Sequence, residues 1–305
     1  MPLEGKKGQC LLCERNEVKY HFIKDLSDQY PVKVLCRVML VSRSAYHDWV
    51  KRPATLITAD ELQLYRRTKQ LFEASRGSLG SREMVKKLRK EGFNIGRYRV
   101  RSLMKRLGLK VIQRQAYRVT TQRKNAHPVA ENVINQDFNP EKSNQVWAGD
   151  VTYLRTHEGW MYLAIVMDLY SRRIIGWAIH KRMTVDLVTR AMQMAINLRN
   201  PGKGLIFHSD QGSQYTSKVF GALLKGRTIR ASMSGVGACW DNAVVERFFG
   251  SLKNEWLLKI YHLTRQGMKQ DVEAYIRYYN QDRLHTANGD LSPVEYELSQ
   301  IKVSG

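Results

Sequence analysis

Apolar residues recur at helical spacing through the first third of the chain. The segments 81–92 (SREMVKKLRKEG) and 96–109 (GRYRVRSLMKRLGL) each keep one apolar face. The positions on these faces are Met84, Val85 and Leu88, then Val100, Leu103, Met104 and Leu107. Gly92 and Gly96 bracket the turn, so the pattern predicts two short helices in a helix-turn-helix arrangement. Residues 31–53 have the same rhythm, with Ser42 as a possible helix cap and Pro53 as a stop.

From residue 145 the pattern changes to that of strands. Three apolar runs follow one another across 145–181, and the short breaks at HEG and SRR predict hairpins. A helix over 184–199, with Thr184 as a possible cap, leads to a buried strand over 204–210. A helix, a short strand and a strong helix over 242–259 follow. The order β-β-β-α-β-α-β-α predicts a mixed α/β sheet with helices on its faces.

Between these two regions the apolar period is lost. Residues 111–145 are polar and contain Pro128 and Pro140, which is typical of a linker. The chain of 305 residues is therefore expected to have three parts. These are a basic, all-α region with helix-turn-helix modules (1–110), a linker (111–142) and an α/β core with C-terminal helices (143–305).

The charge of the chain points to a polyanionic partner. It carries 50 Lys and Arg against 28 Asp and Glu, a formal net charge of +22. No apolar run of transmembrane length, secretory signal or basic amphipathic terminal helix is found, so nucleic acid is favoured over a membrane surface. Most of the excess lies in 1–142, with 30 basic and 14 acidic residues. DNA contact is favoured over plain solvation for Arg82, Lys86, Arg97, Arg99, Arg101, Lys105 and Arg106.

Two acids stand at distinctive places in the predicted sheet. Asp150 lies inside the first strand, where an aspartate is disfavoured, and Asp210 lies at the end of the fourth. If these strands are neighbours, the two carboxylates could approach closely, and they would then repel each other unless one takes a proton or a cation such as Mg²⁺ lies between them. Glu246 shares a helix face with Lys253, seven residues later. Spacing alone leaves it in competition with Asp168, Asp186, Asp241 and Glu255.

Several motifs, in order, resemble those of a known family. They are QVWAGDVTYL, LYSRRIIGW, HSDQGSQYTS, GACWDNAVVERFFGSLKNE and YYNQDRLHTANGDLSPVEYE, with VSRSAYHDWVKRP and LGSREMVKKLRKEGFNIGRYRVRSLMKRLGLK upstream. With 35 residues between Asp210 and Glu246, the chain resembles the Asp-Asp-Glu recombinases of the retroviral integrase superfamily. More narrowly, it resembles the integrase-like second reading frame of insertion-sequence transposases of the IS-three family.

The resemblance implies a ribonuclease-H-like, mixed five-stranded sheet flanked by helices. It implies Asp150, Asp210 and Glu246 as catalytic residues and as ligands of two Mg²⁺ ions, for which Mn²⁺ can substitute. Lys253 matches a basic position that contacts the transposon end. The polar loop after Asp210 is expected to line the site and contact DNA through Gln211, Ser213 and Gln214. His208, next to this loop, is a weaker candidate for the same role.

The same resemblance sets the expected partners and location. Family members usually act as a fusion with an upstream frame, and a reaction at two DNA ends implies at least a dimer on DNA. Few cysteines and no export signal favour the reducing cytosol, and the resemblance implies a bacterial, nucleoid-associated protein. Cys10 and Cys13 have zinc-like spacing, but unpaired thiols are the favoured interpretation because no regular second ligand pair follows.

Two other functions stay open at this point. A metal-dependent nuclease of the same fold would share all three acids but would cut without joining. A non-catalytic DNA-binding regulator would need only the basic helical modules.

Overall fold

The computed structural model describes residues 16–51, 57–111, 130, 140–234 and 243–303. The chain divides into two compact units, 1–63 and 64–305. Within the described ranges, no helix is both long and apolar enough to cross a membrane.

The described part of the first unit is a small helical cluster. Its helices are α1 (Asn16–Leu26), α2 (Val32–Val38) and α3 (Arg43–Lys51). Ile23, Cys36 and Tyr46, one from each helix, are buried together. Ser42 directly precedes α3, and its Oγ lies 3.5 Å from the backbone nitrogen of Ala45, a long contact for a helix cap. Pro53 and the Cys10–Cys13 pair lie outside the described residues.

The predicted helix-turn-helix is present in the second unit. Helix α4 (Ala59–Ala74) crosses the unit boundary, and α5 (Ser81–Lys90) and α6 (Arg97–Arg106) follow it. Six of the seven predicted apolar-face residues are buried in one cluster, and Leu107 packs against it half-buried. The turn depends on Gly92, whose φ of 90° is a conformation that residues with a side chain rarely adopt.

The five predicted strands form one mixed sheet. They are β1 (Val146–Thr156), β2 (Gly159–Asp168), β3 (Arg173–His180), β4 (Ile206–Ser209) and β5 (Arg230–Met233). Their order across the sheet is β3-β2-β1-β4-β5. The hairpin strands pair antiparallel, whereas β1–β4 and β4–β5 are parallel. This topology, with helices on both faces, is the expected ribonuclease-H-like fold.

Each face of the sheet has its own apolar layer. Helices α7 (Val185–Arg199) and α8 (Lys218–Gly226) cover one face, around Trp147 and Phe207. Helices α9 (Ala243–Glu255) and α10 (Arg265–Gln281) cover the other, and α11 (Pro293–Val303) follows. Thr184 stands at the start of α7, but its side chain makes no cap hydrogen bond.

Ion pairs tie the helix-turn-helix to the helices of the core. Arg76, just after α4, lies 2.8 Å from Asp271 of α10 and stacks over the Trp256 ring at 4.0 Å. Two lysines of α5 add further pairs, Lys86 with Asp290 at 2.6 Å and Lys90 with Glu295 at 2.9 Å. Cation stacking on Trp and partly buried ion pairs are stronger than exposed pairs. The described helix-turn-helix is therefore fixed against this side of the core.

Candidate active site

Asp150 and Asp210 lie next to each other by strand register. Strands β1 and β4 run parallel, and the last pair in their ladder is Ala148 with His208. Continuing this register by two residues on each strand brings Asp150 level with Asp210, on the same face as that pair. Both side chains are half-buried. Strands β1 and β4 are neighbours in the sheet, which is the condition that the sequence analysis left open.

Backbone groups orient both carboxylates. The Oδ1 atom of Asp210 accepts a hydrogen bond from the backbone N–H of Gly212 at 3.0 Å. The Oδ1 atom of Asp150 accepts one from the N–H of Val151 at 2.7 Å. The aspartate that seemed misplaced in a strand therefore lies where the parallel ladder ends, and a half-buried carboxylate there keeps access to water.

Glu246 lies in the first turn of α9, the helix that packs on the β1 side of the sheet. Its side chain is exposed overall, yet the protein around the carboxyl group removes enough water to raise its pKa. The segment before this helix, 235–242, lies outside the described residues. Asp241, one of the competing acids, falls in that segment.

Lys253 connects α9 to β1. Its Nζ lies 4.7 Å from the centroid of the Tyr153 ring, three residues after Asp150. Burial lowers the pKa of Lys253, while the charges of Tyr153 and Asp150 raise it. Tyr153 was not singled out by the sequence, because a tyrosine on a strand has many ordinary roles.

The donor chemistry at this site suits a hard cation. Asp150 within β1 and Asp210 directly after β4 supply the carboxylate oxygens that Mg²⁺ prefers. Across the described ranges, however, no three His, Cys, Asp or Glu side chains are grouped so as to hold a metal. The β1–β4 register, continued past Ala148 and His208, thus sets Asp150 level with Asp210, and Glu246 lies on α9, outside any such group of three.

Comparison with known proteins identifies the chain. A family model described as an integrase core domain matches residues 140–239, and a second one matches residues 227–293. An HTH-like domain model matches residues 59–117. The transposase InsF for insertion sequence IS3A of Escherichia coli K12 is 38% identical over 287 residues, covering 93% of this chain and 100% of the relative. The chain belongs to the IS3 family of transposases.

Two further matches are to a protein of another insertion element and to a solved viral structure. The IS600 uncharacterized 31 kDa protein of Shigella sonnei is 38% identical over 264 residues, covering 86% of this chain and 97% of the relative. The HTLV-2 integrase catalytic core, solved in complex with magnesium, is 21% identical with a TM-score of 0.42. That match covers 52% of this chain and 98% of the viral core.

The family assignment settles the function class of the chain. It is a DNA transposase with an integrase-type, polynucleotidyl transferase core and an HTH-like DNA-binding domain. The helices α4, α5 and α6 all fall within the HTH-like match, which agrees with the sequence prediction for 81–109.

Three of the four acids that compete with Glu246 on sequence alone have partners inside the transposase. Asp168 is fully buried and accepts hydrogen bonds from the backbone N–H groups of Asn144 and Tyr170. Asp186 pairs with Arg190 one turn along α7. Glu255 is held by Arg283 and by the Tyr275 hydroxyl. These contacts explain their presence without a role in the reaction.

The loop after Asp210 is held by hydrogen bonds to neighbouring backbone. Gln211 donates from Nε2 to the carbonyl of Ser234 at 2.8 Å, and Gln214 donates to that of Met183 at 3.4 Å. Ser213 between them is exposed. His208 is only 1% exposed, and its Nδ1 lies 3.0 Å from Ser232 Oγ on β5, so it is a core residue of the sheet.

The basic residues of the HTH-like helices fall into two groups. Most of those expected to contact DNA are exposed, namely Arg82, Arg97, Arg99, Arg101, Lys105 and Arg106. Arg106 also stacks over the Tyr65 ring at 5.1 Å. Lys86 instead pairs with Glu83 and Asp290, so its charge is already partly neutralised by acidic residues of the protein itself.

Proposed function

We propose that Asp150, Asp210 and Glu246 are the catalytic and metal-binding acids of Mg²⁺-dependent cleavage and strand transfer at the ends of an insertion sequence. The observation that carries the proposal is the β1–β4 register, which sets Asp150 beside Asp210 at one sheet end. The third acid is supported by its position on α9, the helix that also carries Lys253 towards β1.

The chain's own groups prepare the site for a phosphodiester. Two bound Mg²⁺ ions, which Mn²⁺ can replace, would supply Lewis-acid stabilisation of the attacking and leaving oxygens. Asp150 and Asp210 present carboxylate oxygens whose direction is fixed by the backbone N–H groups of Val151 and Gly212. The raised pKa of Glu246 records a carboxylate that has lost part of its hydration and gains from a nearby cation.

Basic and polar groups outside the acids would position the DNA. Lys253, held on the Tyr153 ring, would contact a phosphate next to the reacting bond. The polar residues Gln211, Ser213 and Gln214 follow Asp210 directly and would line the strand on the other side. The remaining contacts with DNA are proposed on the HTH-like helices, at Arg82, Lys86, Arg97, Arg99, Arg101, Lys105 and Arg106.

The reaction sets the proposed assembly. Joining two DNA ends needs two sites brought together, so at least a homodimer on DNA is proposed. An upstream-frame partner, bound or fused, is proposed as in other family members. Action on chromosomal DNA would place the transposase at the bacterial nucleoid, in the cytoplasm.

The decisive experiment substitutes Asp150→Asn, which removes the charge and keeps the size. We expect cleavage and joining of labelled element-end DNA in Mg²⁺ to fall at least ~10²-fold. Losing one group that stabilises the transition state typically has an effect of this order. DNA binding should be retained. Asp186→Asn, an exposed acid on the far side of the sheet, is the matched control and should remain active.

The same assay separates the alternatives. A product that is cut but never joined, in the wild type, would favour the nuclease. Unchanged DNA-directed activity in Asp150→Asn would exclude a catalytic role for this acid and favour the regulator.

A further inference from the structure

A pocket away from the three acids lies between the HTH-like domain and the integrase core. Its volume is about 420 Å³, and it is bounded by α5, α9, α10 and the turn between β2 and β3. The basic residues of its lining are Lys87, Arg172, Arg247, Arg283 and His285. The first comes from the HTH-like domain and the others from the core, so the pocket exists only when the two are packed together.

The pocket holds more positive than negative charge. Arg283 is neutralised by Glu255, at 2.8 Å. Lys87 and Arg247 form no ion pair with any residue in the described ranges. Burial lowers the pKa of Lys87, which lies 5.6 Å from the Tyr278 ring centroid. A cationic group that is partly dehydrated in this way is stabilised by an anion.

Arg172 adds a further cation to the lining of the pocket. It has a φ of 64° in the tight turn between β2 and β3, a conformation uncommon for a residue with a side chain. Burial lowers its pKa, and the nearby charge of Arg247 lowers it further. Arg172 and Arg247 carry like charges in the lining of one pocket, and their repulsion is a cost that a bound anion would offset.

His285 supplies a neutral polar group to the same wall. Its ring packs edge-on against Tyr279 at 4.7 Å, and its Nε2 is buried without a hydrogen-bond partner among the described residues. Burial, with the charges of Arg283 and Arg172, lowers its pKa to about 3. An imidazole that stays neutral can offer an N–H to an anion without further charge repulsion. A buried nitrogen left without a partner also costs free energy until something binds to it.

Helix α9 connects this pocket to the acids. Val244, Arg247 and Ser251 line the pocket from one face of the helix. Glu246 and Lys253 lie on another face, about 100° or more away around the axis. A ligand in the pocket and a phosphodiester at the three proposed catalytic acids would thus be separated by the width of one helix, about 10 Å.

We propose that this pocket binds a backbone phosphate of the DNA on which the transposase acts, a few nucleotides from the reacting bond. Two guanidinium groups and an ammonium group around a polar cavity match a phosphate, which arginine binds through two parallel hydrogen bonds. DNA is favoured over a small phosphorylated molecule because the walls come from both a DNA-binding domain and a DNA-processing core. A strand passing from one to the other crosses this pocket.

The test measures DNA binding without divalent metal, so that it does not depend on the proposed metal site. Full-length wild type, Arg247→Gln and Lys87→Gln are titrated with a short labelled duplex over a range of salt concentrations. Lys218→Gln and Lys225→Gln are the matched controls, since each removes the same charge from an exposed position on the opposite face of the sheet. Circular dichroism and thermal unfolding verify that each variant is folded.

We expect each pocket variant to bind about tenfold more weakly, the effect of one charge-assisted contact. The slope of log K against log salt should become shallower by about 0.9, the value for one phosphate contact. Both controls should keep the wild-type slope. Equal slopes in pocket and control variants would overturn the proposal.

A second arm separates DNA from free anion. Inorganic phosphate is compared with chloride at equal ionic strength for its effect on wild-type thermal unfolding. Stabilisation by phosphate that is lost in Arg247→Gln, together with the change in DNA slope, supports a backbone phosphate in the pocket. Stabilisation by phosphate with an unchanged DNA slope in the variants would mean a small-anion site and would overturn the DNA assignment.

Discussion

The ammonium group of Lys253 lies 4.7 Å from the centre of the Tyr153 ring, across the gap between α9 and β1. Cation stacking on an aromatic face fixes the lysine without neutralising it, because the ring is attracted to the charge yet carries none. Tyr153 is three residues from Asp150, so the contact sets the position of the lysine relative to the proposed metal site.

This contact predicts unequal effects of substitution at the two residues. Lys253→Met keeps the length and removes the charge, and end cleavage should fall by about tenfold, as for one charge-assisted contact. Tyr153→Phe keeps the ring and should retain activity, whereas Tyr153→Ala should lower cleavage several-fold. Cleavage rates of labelled end DNA test this, with the double variant losing less than the product of the singles. Equal activity in Tyr153→Ala and wild type would contradict it.

The contacts of Arg76 predict that this residue stabilises the packing of the HTH-like domain on the core. Its guanidinium group lies between the Trp256 ring and Asp271, which also accepts from His262 at 2.8 Å. Arg76→Ala leaves a partly buried carboxylate without this partner and should lower the free energy of unfolding by about 2 kcal/mol. Lys69→Ala, which breaks only the exposed pair with Glu73, should change it by less than about 0.5 kcal/mol. Chemical denaturation of both variants is the measurement, and equal losses would count against a special role of Arg76.

The close approach of α7 to Gly176 of β3 predicts that this position does not accept a larger residue. A Cβ atom there would lie 2.1 Å from the backbone oxygen of Ala191 on α7 and 2.9 Å from the Cβ of Ala195. Because backbone cannot move aside locally, Gly176→Ala should destabilise the core by several kcal/mol or abolish soluble expression. Gly221→Ala in α8 meets nothing within 4 Å and should stabilise by about 0.5–1 kcal/mol. Thermal unfolding compares the two, and a stable Gly176→Ala would show that α7 can shift.

The raised pKa of Asp168 predicts that the stability of the protein depends on pH. Burial raises its pKa from 3.8 to about 6, although backbone N–H groups and Arg199 oppose this. The folded state therefore holds a proton between about pH 4 and 6 that the unfolded state has lost. Stability from this group is greatest below pH 4 and falls as the pH rises towards and past 6, by about 3 kcal/mol in total. Asp168→Asn should remove that fall, which urea unfolding at several pH values would reveal. Parallel curves for variant and wild type would be the opposite result.

How much the sequence could predict depends on the range of the interactions. The helix-turn-helix is local: Met84, Leu88 and Val100 recur at helical spacing, and Gly92 supplies a turn that few other residues allow. The strand order along the chain follows from the same local patterns. The identity of Asp150 and Asp210 as notable acids also came from sequence, since each breaks an apolar strand pattern.

Long-range partners could not be predicted this way. The parallel pairing of β1 with β4, two strands about 60 residues apart in sequence, decides that Asp150 and Asp210 meet. Likewise, the sequence could not show that Arg283 pairs with Glu255 or that the His285 ring packs against Tyr279, because these contacts depend on tertiary packing. Lys86 and Lys87 are neighbours of the same type, yet one pairs with Asp290 and the other lines a pocket.

By itself, therefore, the sequence determined the elements, their order, the basic character of the helical region and the acids worth testing. These depend on side-chain period, backbone conformation and charge, which are properties of short segments. The tertiary structure alone decided which charges are neutralised, which acids lie side by side and where a cationic pocket remains. The physical reason is that the energy of a charge depends on burial and on partners brought from distant parts of the chain.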